Sequence, residues 1–354
     1  MVKQLSGKEL LKKAQESITS VLSDIPFVRL RGSKLNVRIA NKEVDAALDI
    51  IVSGKPARFI VEIKSQGEPR LVRMAVAQLK DYLRGLKDSY GIIVAPYLSD
   101  AGRRICREAG VGCIDLAGNA FLSFGNIFID RGGKPNPFAA VRLSKSVFSP
   151  KSSRVLRVLL SDPSKTWYVK DLSQEAGISI GLASRVKQTL LLEEWIKEDK
   201  KRFSLINPEE ALNQWVNNYS YKKSQSFSFY SSLSGDQLEA AIKKECEKRA
   251  WQYGLALFSG ARKVAPFVRF MQFFSYIEGD AEDIAKGLRM KRVESGANVT
   301  LLQPYDEGVF YGLQNINGIN VVSDIQLYLD LKNYKGRGEE AAQAILEQRI
   351  RPTW

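Results

Sequence analysis

Two residues in the first fifth of the chain carry the most chemistry for their size. In "FIVEIKSQG" (59–67), Glu62 and Lys64 stand two places apart at the end of an apolar run. Side chains alternate faces along a strand, so this pair shares one face. Asp49 precedes Glu62 by thirteen positions, across the turn-forming "SGKP" (53–56), and a hairpin can bring it beside Glu62. Two carboxylates so placed can hold Mg²⁺ or Mn²⁺, and the lysine ammonium can position water and offset charge on a phosphate. Asp49 and Glu62 are thus candidate metal ligands. Asp45, four residues earlier, is a rival for the first place. Gln78 and Tyr82 follow at i and i+4 in "AVAQLKDYLRGL", on one face of a helix.

The rest of the composition narrows the chemistry. The 354 residues contain no histidine, which excludes Ser-His-Asp and Cys-His nucleophilic catalysis and any histidine zinc site. Cys106, Cys113 and Cys246 are odd in number and lack CxxC spacing, so buried thiols are expected. The formal net charge of +14 is uneven. Residues 1–150 hold 24 Lys+Arg against 14 Asp+Glu, a net of +10, and the two later segments hold +2 each. Charge concentrated in this way is the footprint of a nucleic-acid surface. No run of about 18 apolar residues suggests a membrane span, and "MVKQLSGKELLKK" lacks the apolar core of a signal peptide. A cytoplasmic protein is expected.

The elements that must position these residues fall into three domains. Over 1–140, a helix, an antiparallel hairpin, a helix from about Arg70 and the apolar strand "YGIIVAP" argue for an α/β domain with a mixed sheet. "RGGKPNPFAA" (131–140) reads as its exit linker, and "GCIDLAGNAFL", with Asp115, Gly118 and Asn119, as a hairpin turn. Over 150–221, a short amphipathic helix precedes two helices joined at Gly177. Leu172, Ala176, Ile178, Leu182, Val186 and Leu190 form their expected buried set. Two short strands around Lys197 to Arg202 complete the order of a winged helix-turn-helix. Its second helix offers Ser179, Ser184, Arg185, Lys187 and Gln188 to the major groove, and its wing offers Lys197, Lys200, Lys201 and Arg202 to phosphates. Residues 222–354 read as a mixed α/β domain. There "LFSGARK" (257–263) lacks P-loop spacing, and Lys335 and Arg337 beside a final helix read as structural.

Asp49, Glu62, Lys64, Gln78 and Tyr82 together resemble the PD-(D/E)xK superfamily, by motif over 49–82 and by element order over about 8–130. Gln78 and Tyr82 are similar to the QxxxY signature of its RecB-like branch. The resemblance implies a restriction-endonuclease-like fold, a Mg²⁺ or Mn²⁺ cofactor where the site is active, and either DNA hydrolysis or DNA binding. Glu16 on the first helix matches an extra acid that some members carry. The winged helix with "GANVTLLQPYDEGVFYG" and "VVSDIQLYLDLKNYKGRGEEAAQAIL" resembles the transcriptional-regulator antitoxins of type IV toxin–antitoxin systems, the abortive-infection E antitoxin family, over about 150–354. That resemblance implies promoter binding on double-stranded DNA and a nucleotidyltransferase-like toxin as partner; a homodimer is a further expectation.

Overall fold

The computed structural model describes residues 6–39, 42–138, 147–265, 272–334 and 336–354. Ala139 and Ala140 of the expected linker, and Lys335, lie outside the described residues. The chain forms two compact units, one of residues 1–145 with 191–194, the other of 146–190 with 195–354.

The first unit is built on a seven-stranded sheet whose strands follow chain order. Helix α1 (Gly7–Ser23) leads into β1 (Val28–Ile39), β2 (Lys42–Val52) and β3 (Lys55–Ile63), an antiparallel meander. Ser6 and Glu9 close a capping box on α1, which satisfies donors that the first turn leaves unpaired. Strand β1 is long and irregular, with a register shift against β2 between Leu30 and Gly32. Strands β2 and β3 join through Ser53 and Gly54, both at positive φ (49° and 83°), the geometry of a two-residue hairpin. Helix α2 (Pro69–Leu83) and helix α3 (Asp100–Ala109) are the crossovers of the parallel strands β3, β4 (Ser89–Ala95) and β5 (Gly112–Asp115). Strands β6 (Ala120–Phe124) and β7 (Ile127–Arg131) close the sheet as a hairpin.

Burial follows the sequence pattern. Phe59, Ile60 and Val61 are wholly buried, because a central strand is covered on both faces. Ala14, Ile18 and Leu22 of α1 pack with Leu48, Ile50, Phe59, Val61 and Ile92 on one face. Val72, Ala75 and Leu79 of α2, with Ile105 and Cys106 of α3, pack with Ala47, Ile60, Ile93 and Cys113 on the other. All three cysteines are buried free thiols, as expected.

The second unit holds both the helix-turn-helix and a second seven-stranded sheet. Helices α4 (Pro150–Ser161), α5 (Val169–Glu175) and α6 (Ile180–Leu192) precede a wing of β8 (Ile196–Asp199) and β9 (Arg202–Leu205). Trp167 bridges to Phe203 and adds a short third strand to the wing. Gly177 sits at φ 60° in the turn, where a side chain would be strained. Leu172, Ala176, Val186 and Leu190 are buried as expected, but Ile178 and Leu182 are half-buried and Ala183 is buried instead. The helix starts at Ile180, which turns 183, 186, 187 and 190 inward together. Helix α7 (Pro208–Asn218) then leads to the sheet, in the order β13-β10-β14-β12-β11-β16-β15. Of these strands, β10 is Gln225–Tyr230, β11 Tyr253–Leu255, β12 Phe273–Ile277, β13 Lys291–Arg292, β14 Val299–Gln303, β15 Gln314–Ile316 and β16 Ile319–Val321. Helix α8 (Gly235–Lys248), α9 (Leu257–Val264), α10 (Ala281–Gly287), α11 (Asp324–Lys332) and α12 (Gly338–Ile345) complete the mixed α/β domain.

Candidate functional site

The end of β3 is held rigidly, which fixes the Glu62–Lys64 pair. The Lys64 backbone N–H donates to the Val94 carbonyl (2.8 Å), so the parallel ladder continues past the strand's last residue. Beyond it, Gly67 packs against the backbone of Tyr97, and a Cβ there would collide with the Tyr97 carbonyl. Glu62 is 5% exposed. Lys64 Nζ donates to Glu62 Oε1 (2.6 Å) and to Gln78 Oε1 (3.2 Å), and Gln78 Nε2 donates to the Tyr82 hydroxyl. Glu62, Lys64, Gln78 and Tyr82 thus form one chain of contacts from β3 to α2. The Lys42 ammonium, ion-paired with Asp81, lies 5.9 Å from the centre of the Tyr82 ring.

Asp49 does not sit beside Glu62. The two-residue turn pairs Asp49 with Arg58, and the exposed side chains form an ion pair at 2.7 Å. The same register runs to Ala46 opposite Val61, so one step further places Asp45 opposite Glu62. Asp45 Oδ2 accepts a hydrogen bond from the Ile63 N–H at 2.6 Å. Four residues of strand separate the two aspartates, about 13 Å at the usual rise. Glu16 is exposed on α1, the helix that covers the opposite face of the sheet.

Burial pushes the Glu62 carboxyl above its ordinary range. The Lys64 ammonium opposes this, the Asp45 charge adds to it, and the Gln78 amide opposes it. Two carboxylates repelling each other at the rim of a core are what a divalent cation would relieve. Mg²⁺ is commonly held by one or two carboxylates with water on its remaining positions, so Asp45 and Glu62 fit such an ion. Among the described residues, no three acidic or cysteine side chains are grouped for a metal ion.

The winged helix presents a second set. Ser179, just before α6, and Arg185 and Gln188 on it are exposed, and Ser184 is half-buried beside them. Lys197, Lys200, Lys201 and Arg202 are exposed on the wing. Lys200 and Lys201 form its tip at φ 46° and 71°, a turn that favours Asn-Gly over two lysines. Lys187 departs from expectation. Its ammonium is buried, ion-paired with Glu198 and 5.5 Å from the centre of the Phe203 ring, so it pins α6 to the wing. Tyr168, 42% exposed, was not singled out from the sequence, yet the Arg202 guanidinium lies 4.7 Å from its ring centre. Lys165 packs likewise on Trp167 at 3.9 Å. The aromatic pair between two lysines in "KTWYVK" was the available signal.

The other motifs are structural. The buried Asp115 carboxylate accepts from the N–H groups of Leu98, Ala117 and Asn119 and from the Asn119 amide, which fixes the turn with Gly118 at φ 95°. Ser259 Oγ in "LFSGARK" accepts from the Phe274 N–H. Arg337 stands at the N-terminal cap of α12.

The first unit has the helix, antiparallel meander and parallel crossover order of a restriction-endonuclease-like fold, and the second has a winged-helix element order ahead of a mixed α/β domain. Residues 204–351 match the family described as transcriptional regulator, AbiEi antitoxin, type IV TA system. The match begins in β9, so most of the winged helix lies outside it. No curated protein is found to match the chain. Among solved structures, a repair endonuclease from Pyrococcus abyssi is 20% identical, with a TM-score of 0.22 over 28% of this chain and 46% of its own. EndoMS in its apo form is 17% identical, with a TM-score of 0.21 over 29% and 45%. An EndoMS–dsDNA complex is 16% identical, with a TM-score of 0.22 over 32% and 46%. This chain spans less than half the length of each.

Proposed function

We propose that the protein is a DNA-binding transcriptional regulator of the antitoxin type, working in the cytoplasm on double-stranded DNA. The observation that carries this reading is one compact unit joining an exposed polar face of α6 and a basic wing to a segment that matches the antitoxin family. Ser179, Arg185 and Gln188 read base edges in the major groove, while Lys200, Lys201 and Arg202 hold flanking phosphates. The basic first domain adds sequence-independent attraction. In this reading the protein represses its own promoter and opposes a nucleotidyltransferase-like toxin. A reporter driven by the DNA upstream of its gene tests the proposal. Expression of the protein lowers the reporter signal, and Arg185→Ala restores it. A signal indifferent to the protein sinks the regulator reading.

A second reading has its own observation. Asp45, Glu62 and Lys64 meet beside Gln78, the residue types that metal-dependent phosphodiester hydrolysis needs. A divalent ion held by Asp45 and Glu62 would supply Lewis-acid charge at the phosphate. Lys64 would place its ammonium against the developing charge, with Gln78 setting its direction. Incubation with plasmid and linear DNA plus Mg²⁺ or Mn²⁺ tests this. The nuclease reading expects cleavage that Asp45→Ala, Glu62→Ala and Lys64→Ala abolish and Asp49→Ala leaves. No cleavage of any substrate removes it.

A further inference from the structure

Helix α4 buries two arginines where apolar residues would normally pack. Arg154 holds Asp306 with two bonds (Nε 2.8 Å, Nη2 2.7 Å) and reaches Glu307 (2.5 Å). Arg157, 2% exposed, donates from Nη1 to Gln326 Oε1 (2.5 Å). Gln326 stands one turn before Asp330 on α11, and both are wholly buried. Gln326 Nε2 donates to Asp330 Oδ1 (2.7 Å) and to the Tyr219 hydroxyl (2.8 Å). Tyr219 and Tyr276 both donate to Asp330 Oδ1 (2.5 and 3.2 Å). One amide therefore lies between a buried guanidinium and a buried carboxylate, accepting from the first and donating to the second.

The cluster ties together α4 of the winged helix, the end of α7, strand β12 and helix α11. Such a network is a poor source of stability, because desolvating both charges costs about what their attraction returns. Arg157 Nε and Asp330 Oδ2 are buried with no hydrogen-bond partner among the described residues, which adds to the cost. An apolar filling that replaced the whole set, guanidinium, amide and carboxylate together, would hold these elements about as tightly, whereas removing one member strands the others. What directional hydrogen bonds add is a single permitted arrangement of α4 against α11. Helix α4 in turn touches α5, α7 and β9, so its position bears on the helix-turn-helix through α5 and on the wing through β9.

We propose that the Arg157–Gln326–Asp330 relay is a transmission device that makes the winged helix and the C-terminal sheet one cooperative body. A partner engaging that sheet then acts on the DNA-facing helix through α4, not by setting the winged helix free. The relay accounts for Gln326 and Asp330 at i and i+4 within the antitoxin-like motif, a role their sequence context alone did not suggest.

Hydrogen exchange of the full chain, read by mass spectrometry against denaturant, tests the device with or without DNA. In the wild type, peptides covering α5 and α6 should open in the same event as those covering β12 and β14. Gln326→Met keeps the volume and removes both ends of the relay. It should speed exchange of α5 and α6 on the order of tenfold while β12 and β14 hold their protection. Tyr219→Phe should give a smaller shift in the same direction and serves if Gln326→Met does not fold. Independent opening of α5 and α6 in the wild type overturns the proposal, as does unchanged exchange in the folded variants.

Discussion

Glu62 and Asp45 show how a single register decides chemistry. Thirteen positions separate Asp49 from Glu62, a spacing that suits the endonuclease-like motif, but pairing depends on where the turn sits. The turn lies at Ser53 and Gly54, and reflection about it sends Glu62 to Asp45. That information was present in "SGKP", where Gly54 marks the left-handed position. The role of Lys187 was less legible, since a basic residue on a recognition helix reads as a phosphate ligand. Only the phase of α6 and the position of Glu198 on β8 reveal it as buried. Lys187→Ala removes a buried side chain that packs on Phe203 and pairs with Glu198, and should cost about 0.5–3 kcal/mol of stability, measured by denaturant unfolding. DNA affinity per folded molecule should change little. The raised Glu62 pKa also has a sign. Its neutral form is favoured in the folded chain, so that contribution to stability is lost as pH rises through the raised value. Glu62→Gln should flatten the pH dependence of unfolding just above the usual carboxylate range.

The elements carry trade-offs of their own. The wing tip places two lysines in left-handed conformations, each costing roughly 1 kcal/mol against glycine. Replacing Lys200 and Lys201 with Asn and Gly should therefore raise thermal stability. If the wing meets phosphates, it should also weaken DNA binding and lower the salt slope by about 2. Helix α11 holds the opposite case. Burial pushes Asp330 up to about 6, with Tyr219, Gln326, Arg157 and Tyr276 opposing the shift. A raised carboxylate pKa stabilises the fold while protonated, so stability should fall as pH rises from about 4 to 6, by roughly 3 kcal/mol in all. Asp330→Asn should remove that slope in urea melts taken across the window. The helix-turn-helix, the wing and the β2–β3 hairpin were legible because turn residues and apolar spacing are local signals. The α4–α11 network was not, since residues about 170 positions apart leave no local pattern.

At the scale of the molecule, the basic residues concentrate in the first unit, while the proposed recognition helix α6 lies largely in the second. The two contributions should separate by salt, because non-specific attraction falls steeply with ionic strength and base contacts do not. The second and third sequence-defined segments fall largely in one unit, within which Arg154 and Arg157 bond α4 to Asp306 and to Gln326 of α11. The most direct measurement is fluorescence anisotropy of the full chain on DNA from upstream of its gene and on a scrambled duplex, across a salt series. The account predicts tighter binding to the upstream DNA, with the preference persisting at the highest salt and disappearing in Arg185→Ala. Equal affinity for both duplexes at every salt concentration, or an Arg185→Ala variant indistinguishable from wild type, would contradict it.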